Sequence, residues 1–238
     1  MPLDEATILI VDDEPQLLTI FGSWFKREGC RILLAENGAE GLKLASQNRV
    51  DLVISDIRMP VMSGIELAQR LGKHPGSMPQ MLFVSSAGEI EDRELYDLGV
   101  ARMLHKPIGR QKLVEAARLC LLDKDKRWST PPNPDEGTIR DLVSQASEPP
   151  SDRIAFGRGG LCLCSNANLQ KGHLVRVNLT SELDAPASIV ATVQWVAPQH
   201  WLSGLEIRYV DQIGRASVIR VTDNAGVNAF IPRTVGPR

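Results

Sequence analysis

The stretch DLVISDIRMP, residues 51–60, decides the fold of this chain. Leu52, Val53 and Ile54 form an apolar run without polar alternation, which is the pattern of a strand covered on both faces, as in a parallel sheet. An acidic residue, Asp56, follows at once. A carboxylate placed directly after a buried strand is costly unless a counter-charge or ligand meets it.

Working outward, four more segments repeat the apolar run: TILIV (7–11), RILLA (31–35), QMLFVSS (80–86) and ARMLH (101–105). Between them lie segments with helical spacing. PQLLTIFGSWFKREG (15–29) carries Leu17, Leu18, Phe21, Trp24 and Phe25 on one face, with Pro15 suited to the first turn and Gly29 to the end. NGAEGLKLASQN (37–48) offers Asn37 as a cap, and GIELAQRLG (64–72), EDRELYDLG (91–99) and GRQKLVEAARLCLLDK (109–124) complete the alternation. Five strands alternating with five helices imply right-handed crossovers and an α/β doubly wound five-stranded parallel sheet. Ligands of such a sheet sit beyond the C-terminal ends of its strands.

The totals bound the function. The chain has 238 residues, 43% hydrophobic and 24% charged, with a formal net charge of -2. That balance gives no bulk electrostatic footprint for DNA or an anionic membrane. No apolar run approaches the ~18 residues a membrane span needs, and the opening MPLDEATILIVDDEP lacks a secretory pattern; the expected location is the cytoplasm. Cys30 and Cys120 are isolated, and Cys162 and Cys164 share one face of a strand. They read as small buried hydrophobes, since no second Cys pair or His cluster completes a zinc site.

Three of the strand ends are acidic or hydroxylic. Strand one ends in Asp12–Asp13, strand three in Asp56 and strand four in Ser85–Ser86, while strand five ends in Lys106–Pro107. Taken singly, each has a plainer reading as a turn, cap or loop residue. Converged on one crevice, three repelling carboxylates call for a hard divalent cation such as Mg2+, and a partly free carboxylate can attack a phosphoryl group to form an acyl phosphate.

These features, in this order, resemble the receiver domain of two-component response regulators over residues 5–122. The resemblance implies a flavodoxin-like fold, Asp56 as phosphoacceptor, Asp13 as direct Mg2+ ligand, Asp12 through water, and the backbone carbonyl of Arg58 as a further ligand. Lys106 would pair with phosphoryl oxygens, through a Lys–Pro bond that is commonly cis in this family. Spacing to Lys106 favours Ser85 as the hydroxyl, with Ser86 as the alternative. Met103 stands where the family usually has an aromatic switch residue. The implied partner is a sensor histidine kinase or phosphotransfer protein, and the implied role is a switch that assists its own phosphoryl transfer rather than an enzyme. A homodimer stays open, because receivers commonly dimerise through helices four and five.

From about residue 123 the texture changes. DKDKRWSTPPNPDEG (123–137) is polar and Pro-rich, and TIRDLVSQAS (138–147) suits a short helix. The expected division is a receiver over 1–124, a linker over 125–150 and a second domain over 151–238. HLVRVNLT (173–180), SIVATVQWV (188–196) and WLSGLEIRYV (201–210) alternate with period two, which predicts a mainly antiparallel β-barrel or sandwich, followed by a C-terminal helix in 214–230. The Gly-Gly-Leu entry, the V-x-W strand and the Gly-Leu-Glu-Ile strand resemble a PilZ domain. That family commonly binds cyclic di-GMP through R-x-x-x-R and [D/N]-x-S-x-x-G motifs. Here Ala155 and Gly157 replace the acidic and serine positions, and Arg127, Arg140, Arg153 and Arg158 are wrongly spaced. Arg153 and Arg158 are the candidate ligand residues, with solvent-facing charge beside a Gly turn as their plainer reading. The departures count against cyclic di-GMP and favour docking of an unknown output protein. DNA is not the expected partner, since residues 125–238 carry 12 basic against 11 acidic side chains.

Overall fold

The strands form where the apolar runs lie. In the computed structural model, which describes residues 1–73, 78–86, 90–142, 154–165, 167–180, 183–225 and 228–235, β1 spans Thr7–Val11, β2 Arg31–Ala35, β3 Leu52–Ser55, β4 Gln80–Ser85 and β5 Val100–His105. They pair in the order β2-β1-β3-β4-β5, all parallel. β1 is central, with Leu9 opposite Leu33 on one side and Val53 on the other.

The helices between them are α1 Pro15–Lys26, α2 Gly38–Gln47, α3 Gly64–Lys73, α4 Asp92–Asp97 and α5 Arg110–Leu121. α1 starts with Pro15 in its first turn, where proline's missing N–H costs nothing. The chain leaves it through Gly29 at φ 88°. α2 is capped by Asn37, whose side chain accepts from the Glu40 amide at 3.0 Å. Leu18, Phe21 and Phe25 of α1 and Leu67, Ala68 and Leu71 of α3 are buried.

Packing divides the chain into two units. One holds Met1–Glu91 with Leu98–Leu122, the other Asp92–Asp97 with Asp123–Arg238. α4 is therefore part of the second unit, although β4 and β5 flank it in the sequence.

The second unit also contains α6 Lys124–Arg127, β6 Ile139–Asp141, β7 Ile154–Phe156, β8 Gly160–Cys164, β9 Leu174–Leu179, β10 Ala187–Ala197, β11 Leu202–Val210 and α7 Arg215–Asp223. Its strands run β6-β9-β10-β11-β8-β7. The β9, β10, β11, β8 and β7 pairings are antiparallel, but β6 lies parallel to β9, so the sheet is mixed. Among the described residues, β6 and β7 are the two ends of this order and do not pair.

The expected linker also differs from what is observed. Trp128 is fully buried in the core of the second unit, beside Val175, Ile189, Leu205 and Val218. Ile139–Asp141, expected at the start of a short helix, is instead an edge strand bonded to β9. Three residues have little intrinsic preference, so the available hydrogen bonds of β9 decide their state. The rest of that expected helix, from residue 143, lies outside the described residues. The predicted C-terminal helix is real but stops at Asp223.

Among the described residues no helix is long and apolar enough to cross a membrane. The four cysteines are free thiols. Burial pushes Cys30 up to about 11 and Cys162 to about 12, so both stay protonated at neutral pH.

Candidate functional site

Parallel pairing brings the C-terminal ends of β1, β3, β4 and β5 to one edge of the sheet. The Asp56 amide donates to the Val11 carbonyl at 2.9 Å, and the Lys106 amide to the Ser85 carbonyl at 3.0 Å. Each ladder thus extends one residue past its strand and fixes the side chain that follows.

The loop after Asp56 is anchored from below. The Gly64 amide donates to the Ile57 carbonyl at 2.9 Å. A Cβ on Gly64 would lie 2.1 Å from the Asp56 carbonyl oxygen, so only glycine lets α3 begin so close to that backbone. The Ser55 hydroxyl donates to the same carbonyl at 2.7 Å.

Asp12 and Asp56 are buried, and Asp13 is exposed. One carboxylate oxygen from each of Asp12, Asp13 and Asp56 can be chosen so that all lie within 4.8 Å of one another. The Ser85 hydroxyl donates to Asp56 Oδ1 at 2.7 Å. Lys106 Nζ donates to Asp12 Oδ2 at 3.0 Å and to Glu14 Oε1 at 3.3 Å, and stands 3.6 Å from Asp56 Oδ2. The Lys106–Pro107 bond is cis. Asp12 Oδ1 also accepts from the Glu14 amide at 3.0 Å.

The electrostatics are unbalanced. Burial holds the Asp12 carboxyl above its ordinary range, against the opposing pull of the Glu14 amide and Lys106. At Lys106 burial acts downward, but the neighbouring carboxylates of Asp12, Asp56 and Glu14 outweigh it, and the ammonium is held above its ordinary range. The two partners of this ion pair therefore shift the same way for different reasons: Asp12 is dominated by desolvation, Lys106 by the sum of several negative neighbours. One ammonium among four carboxylates leaves room for a further cation.

The cluster fits a hard divalent cation on its own chemistry. The donors are all carboxylate oxygens, and their mutual reach suits an ion with oxygen ligands at ~2.0–2.1 Å that keeps several waters. Arg58 follows in the exposed part of the same loop.

Of the two candidate hydroxyls, the structure brings Ser85 to Asp56, buried to 1% exposure; Ser86 is exposed. Met103 is half-buried on β5, opposite Phe83 of β4. The sequence reading missed Glu14. Its position directly behind the acidic pair was a usable signal, because the turn that carries Asp12 and Asp13 also carries Glu14 toward Lys106.

In the second unit, Arg153 lies outside the described residues. Arg158 is not the solvent-facing charge that was its plainer reading. It is half-buried, and burial, then the neighbouring Arg127, hold its guanidinium below its ordinary range. Trp195 is buried, whereas Trp201 is 59% exposed. His173 is a turn residue, its Nδ1 accepting from the Gln170 amide at 3.1 Å.

Residues 8–118 match the family model described as the response regulator receiver domain. The chain is similar to the transcriptional regulatory protein GlrR of Escherichia coli, 37% identical over 128 residues, which are 52% of this chain and 29% of that protein. It thus spans less than a third of that relative's length. It is 30% identical over 118 residues to Protein PilH of Pseudomonas aeruginosa, covering 49% of this chain and 98% of that protein. A receiver domain structure from Clostridium thermocellum is 28% identical and covers 49% of this chain and 94% of that chain, with a TM-score of 0.46.

Proposed function

Because the chain belongs to the response regulator family through its receiver domain, we propose that it is a signalling switch phosphorylated on Asp56 by a sensor histidine kinase or phosphotransfer protein. A carboxylate oxygen of Asp56 attacks the phosphorus of a phosphohistidine. The new O–P bond forms as the P–N bond breaks, and the imidazole nitrogen keeps the electron pair and takes up a proton.

Each side chain has a part in that transfer. Asp12, Asp13, Asp56 and the Arg58 carbonyl would hold Mg2+, which when bound supplies positive charge at the phosphoryl oxygens. Lys106 donates to one of those oxygens and neutralises the charge arriving at the pocket. The Ser85 hydroxyl leaves Asp56 Oδ1 and donates to another. Preorganised donors of this kind need little rearrangement as charge develops.

The observation that carries the reading is the convergence of Asp56 with Ser85 at 2.7 Å, Lys106 at 3.6 Å and two further carboxylates at one sheet edge. The test is intact-mass analysis after incubation with a small acyl phosphate and Mg2+. Wild type is expected to gain one phosphoryl group, and Asp56→Asn none. Equal labelling of the two proteins would overturn the assignment.

For output, the second unit is read as PilZ-like and as the docking module for a protein partner, supported by the β8, β10 and β11 sequence features. A second reading is a cyclic di-GMP effector with a non-standard arginine set. It draws support from Arg127 lying beside the half-buried Arg158, since paired guanidinium groups favour an anionic ligand. Calorimetric titration with the dinucleotide decides between them: saturable binding lost in Arg158→Ala supports the second reading, and absence of heat supports the first.

A further inference from the structure

The Lys106 ammonium is hydrogen-bonded to two carboxylates, and neither is Asp56. It donates to Asp12 Oδ2 at 3.0 Å and to Glu14 Oε1 at 3.3 Å. Asp56 Oδ2 stands at 3.6 Å, outside hydrogen-bond range. A phosphoryl oxygen on Asp56 therefore receives a bond from Lys106 only if the ammonium shifts toward it.

The two bonded partners differ in what their release costs. The Asp12 side chain is 2% exposed and that of Glu14 61%. A buried carboxylate stripped of its counter-ion is left as an uncompensated charge. An exposed one is taken over by water, and the pair it leaves was weak. When a third acceptor competes for the ammonium, the Glu14 bond is the one that gives way.

The Glu14 backbone is held on both sides. Its amide donates to Asp12 Oδ1 at 3.0 Å. Its carbonyl accepts from the amides of Leu17 and Leu18, at 3.0 and 3.2 Å, in the first turn of α1. The next residue is Pro15, whose ring fixes its own φ. The turn thus delivers the Glu14 carboxylate to Lys106 by construction. The side chain alone can leave, with the acidic pair and the helix start undisturbed.

We propose that Glu14 is a positioning residue that holds the Lys106 ammonium back from Asp56, so that it competes with the phosphoryl group and weakens the phosphorylated state. The inference rests on Asp56 being the phosphoacceptor. Without Glu14 the ammonium keeps its buried partner Asp12 and has a donor to spare for the phosphoryl oxygen. With Glu14 that donor is already engaged, and the exchange of one acceptor for another lowers the net gain.

The test is calorimetric titration of the full chain with beryllofluoride, a phosphoryl mimic, at saturating Mg2+. Glu14→Gln keeps the size of the side chain and removes its charge. It is expected to bind beryllofluoride roughly 1.5- to 5-fold more tightly than wild type, the range set by one exposed ion pair. Mg2+ alone should bind this variant more weakly, because one negative charge has left the cluster. A variant whose turn had merely loosened would bind both more weakly. Glu14→Asp keeps the charge but is one methylene too short for the Lys106 contact, and it should also bind beryllofluoride more tightly. Unchanged or weaker beryllofluoride binding in Glu14→Gln would overturn the proposal. Wild-type affinity in Glu14→Asp would overturn it too, since net charge and not the contact would then be at work. Asp56→Asn keeps the two readings apart. If wild type binds beryllofluoride saturably and Asp56→Asn does not, the phosphorylation reading stands whatever the Glu14 variants do. If Asp56→Asn binds as wild type does, or wild type does not bind, that reading fails and the Glu14 proposal with it.

Discussion

Ser85, at the last position of β4, and Asp56, just past the end of β3, are joined by a 2.7 Å hydrogen bond across 29 residues of chain. The bond exists because β3 and β4 are parallel neighbours in register, Ser55 facing Phe83, so their ends emerge side by side. Ser86, one position later, is exposed. A one-residue step along a strand turns a side chain to the other face.

That relationship separates the two serines. Ser85→Ala removes a hydroxyl that would donate to the phosphoryl group, and a hydrogen bond to a charged partner contributes about 1.5–3 kcal/mol. Phosphorylation by a small acyl phosphate is therefore expected to slow by roughly 10- to 100-fold. Ser86→Ala should match wild type. The reverse ranking in a stopped labelling assay would show that the hydroxyl seen at Asp56 is not the working one.

Asp12 gives a pH signature. Its carboxyl is held above its ordinary value of 3.8, chiefly by burial. As pH rises, the unfolded chain loses this proton first. Between 3.8 and the raised native value the native state binds more protons, and stability falls with increasing pH. In metal-free buffer, urea unfolding should show wild type losing stability relative to Asp12→Asn across that window. Mg2+ should restore it at neutral pH, by about 2.7 kcal/mol at a hundredfold excess over Kd, and should do much less for Asp12→Asn. Parallel pH curves for the two proteins would count against an unneutralised Asp12.

Val61 sits in the loop between Asp56 and α3 with φ 69°, and its side chain is 83% exposed. A β-branched residue in the left-handed region is strained by about 1–3 kcal/mol, and this one buries almost nothing in return. Val61→Gly relieves the strain at an entropic cost of about 0.5–1 kcal/mol. Thermal unfolding of the variant is expected at a higher temperature, corresponding to a net gain of about 1 kcal/mol. A lower transition temperature would mean that the loop needs the valine.

Trp128 lies in a segment that reads as linker, yet its ring is 0% exposed. Trp128→Ala should destabilise the second unit by about 3–5 kcal/mol, the usual range for deleting a buried large aromatic. A fragment comprising only 151–238 lacks both Trp128 and β6 and should show no cooperative thermal transition. A sharp transition in that fragment would restore the linker reading.

The first unit was legible because its determinants are local. Each strand is an unbroken apolar run, each helix carries its stripe at its own spacing, and Pro15, Gly29 and Asn37 punctuate them in place. Once five such strands are known to be parallel, their ends must share an edge, and Asp12, Asp13, Asp56 and Lys106 fall together without further information. The second unit was legible only where strands are long enough to show alternation, as in β9, β10 and β11.

What the sequence alone determined is therefore the parallel sheet, the alternating core of the second unit, and the set of side chains at the strand ends. Tertiary structure decided the rest: Ser85 over Ser86, the place of Glu14 beside Lys106, β6 as an edge strand, the half-burial of Arg158, and the packing of α4 in the second unit. The physical reason is common to them. Ile139–Asp141 and α4 are too short to carry a preference of their own, and a hydroxyl, a carboxylate or a guanidinium takes its environment from whatever distant segment lies against it.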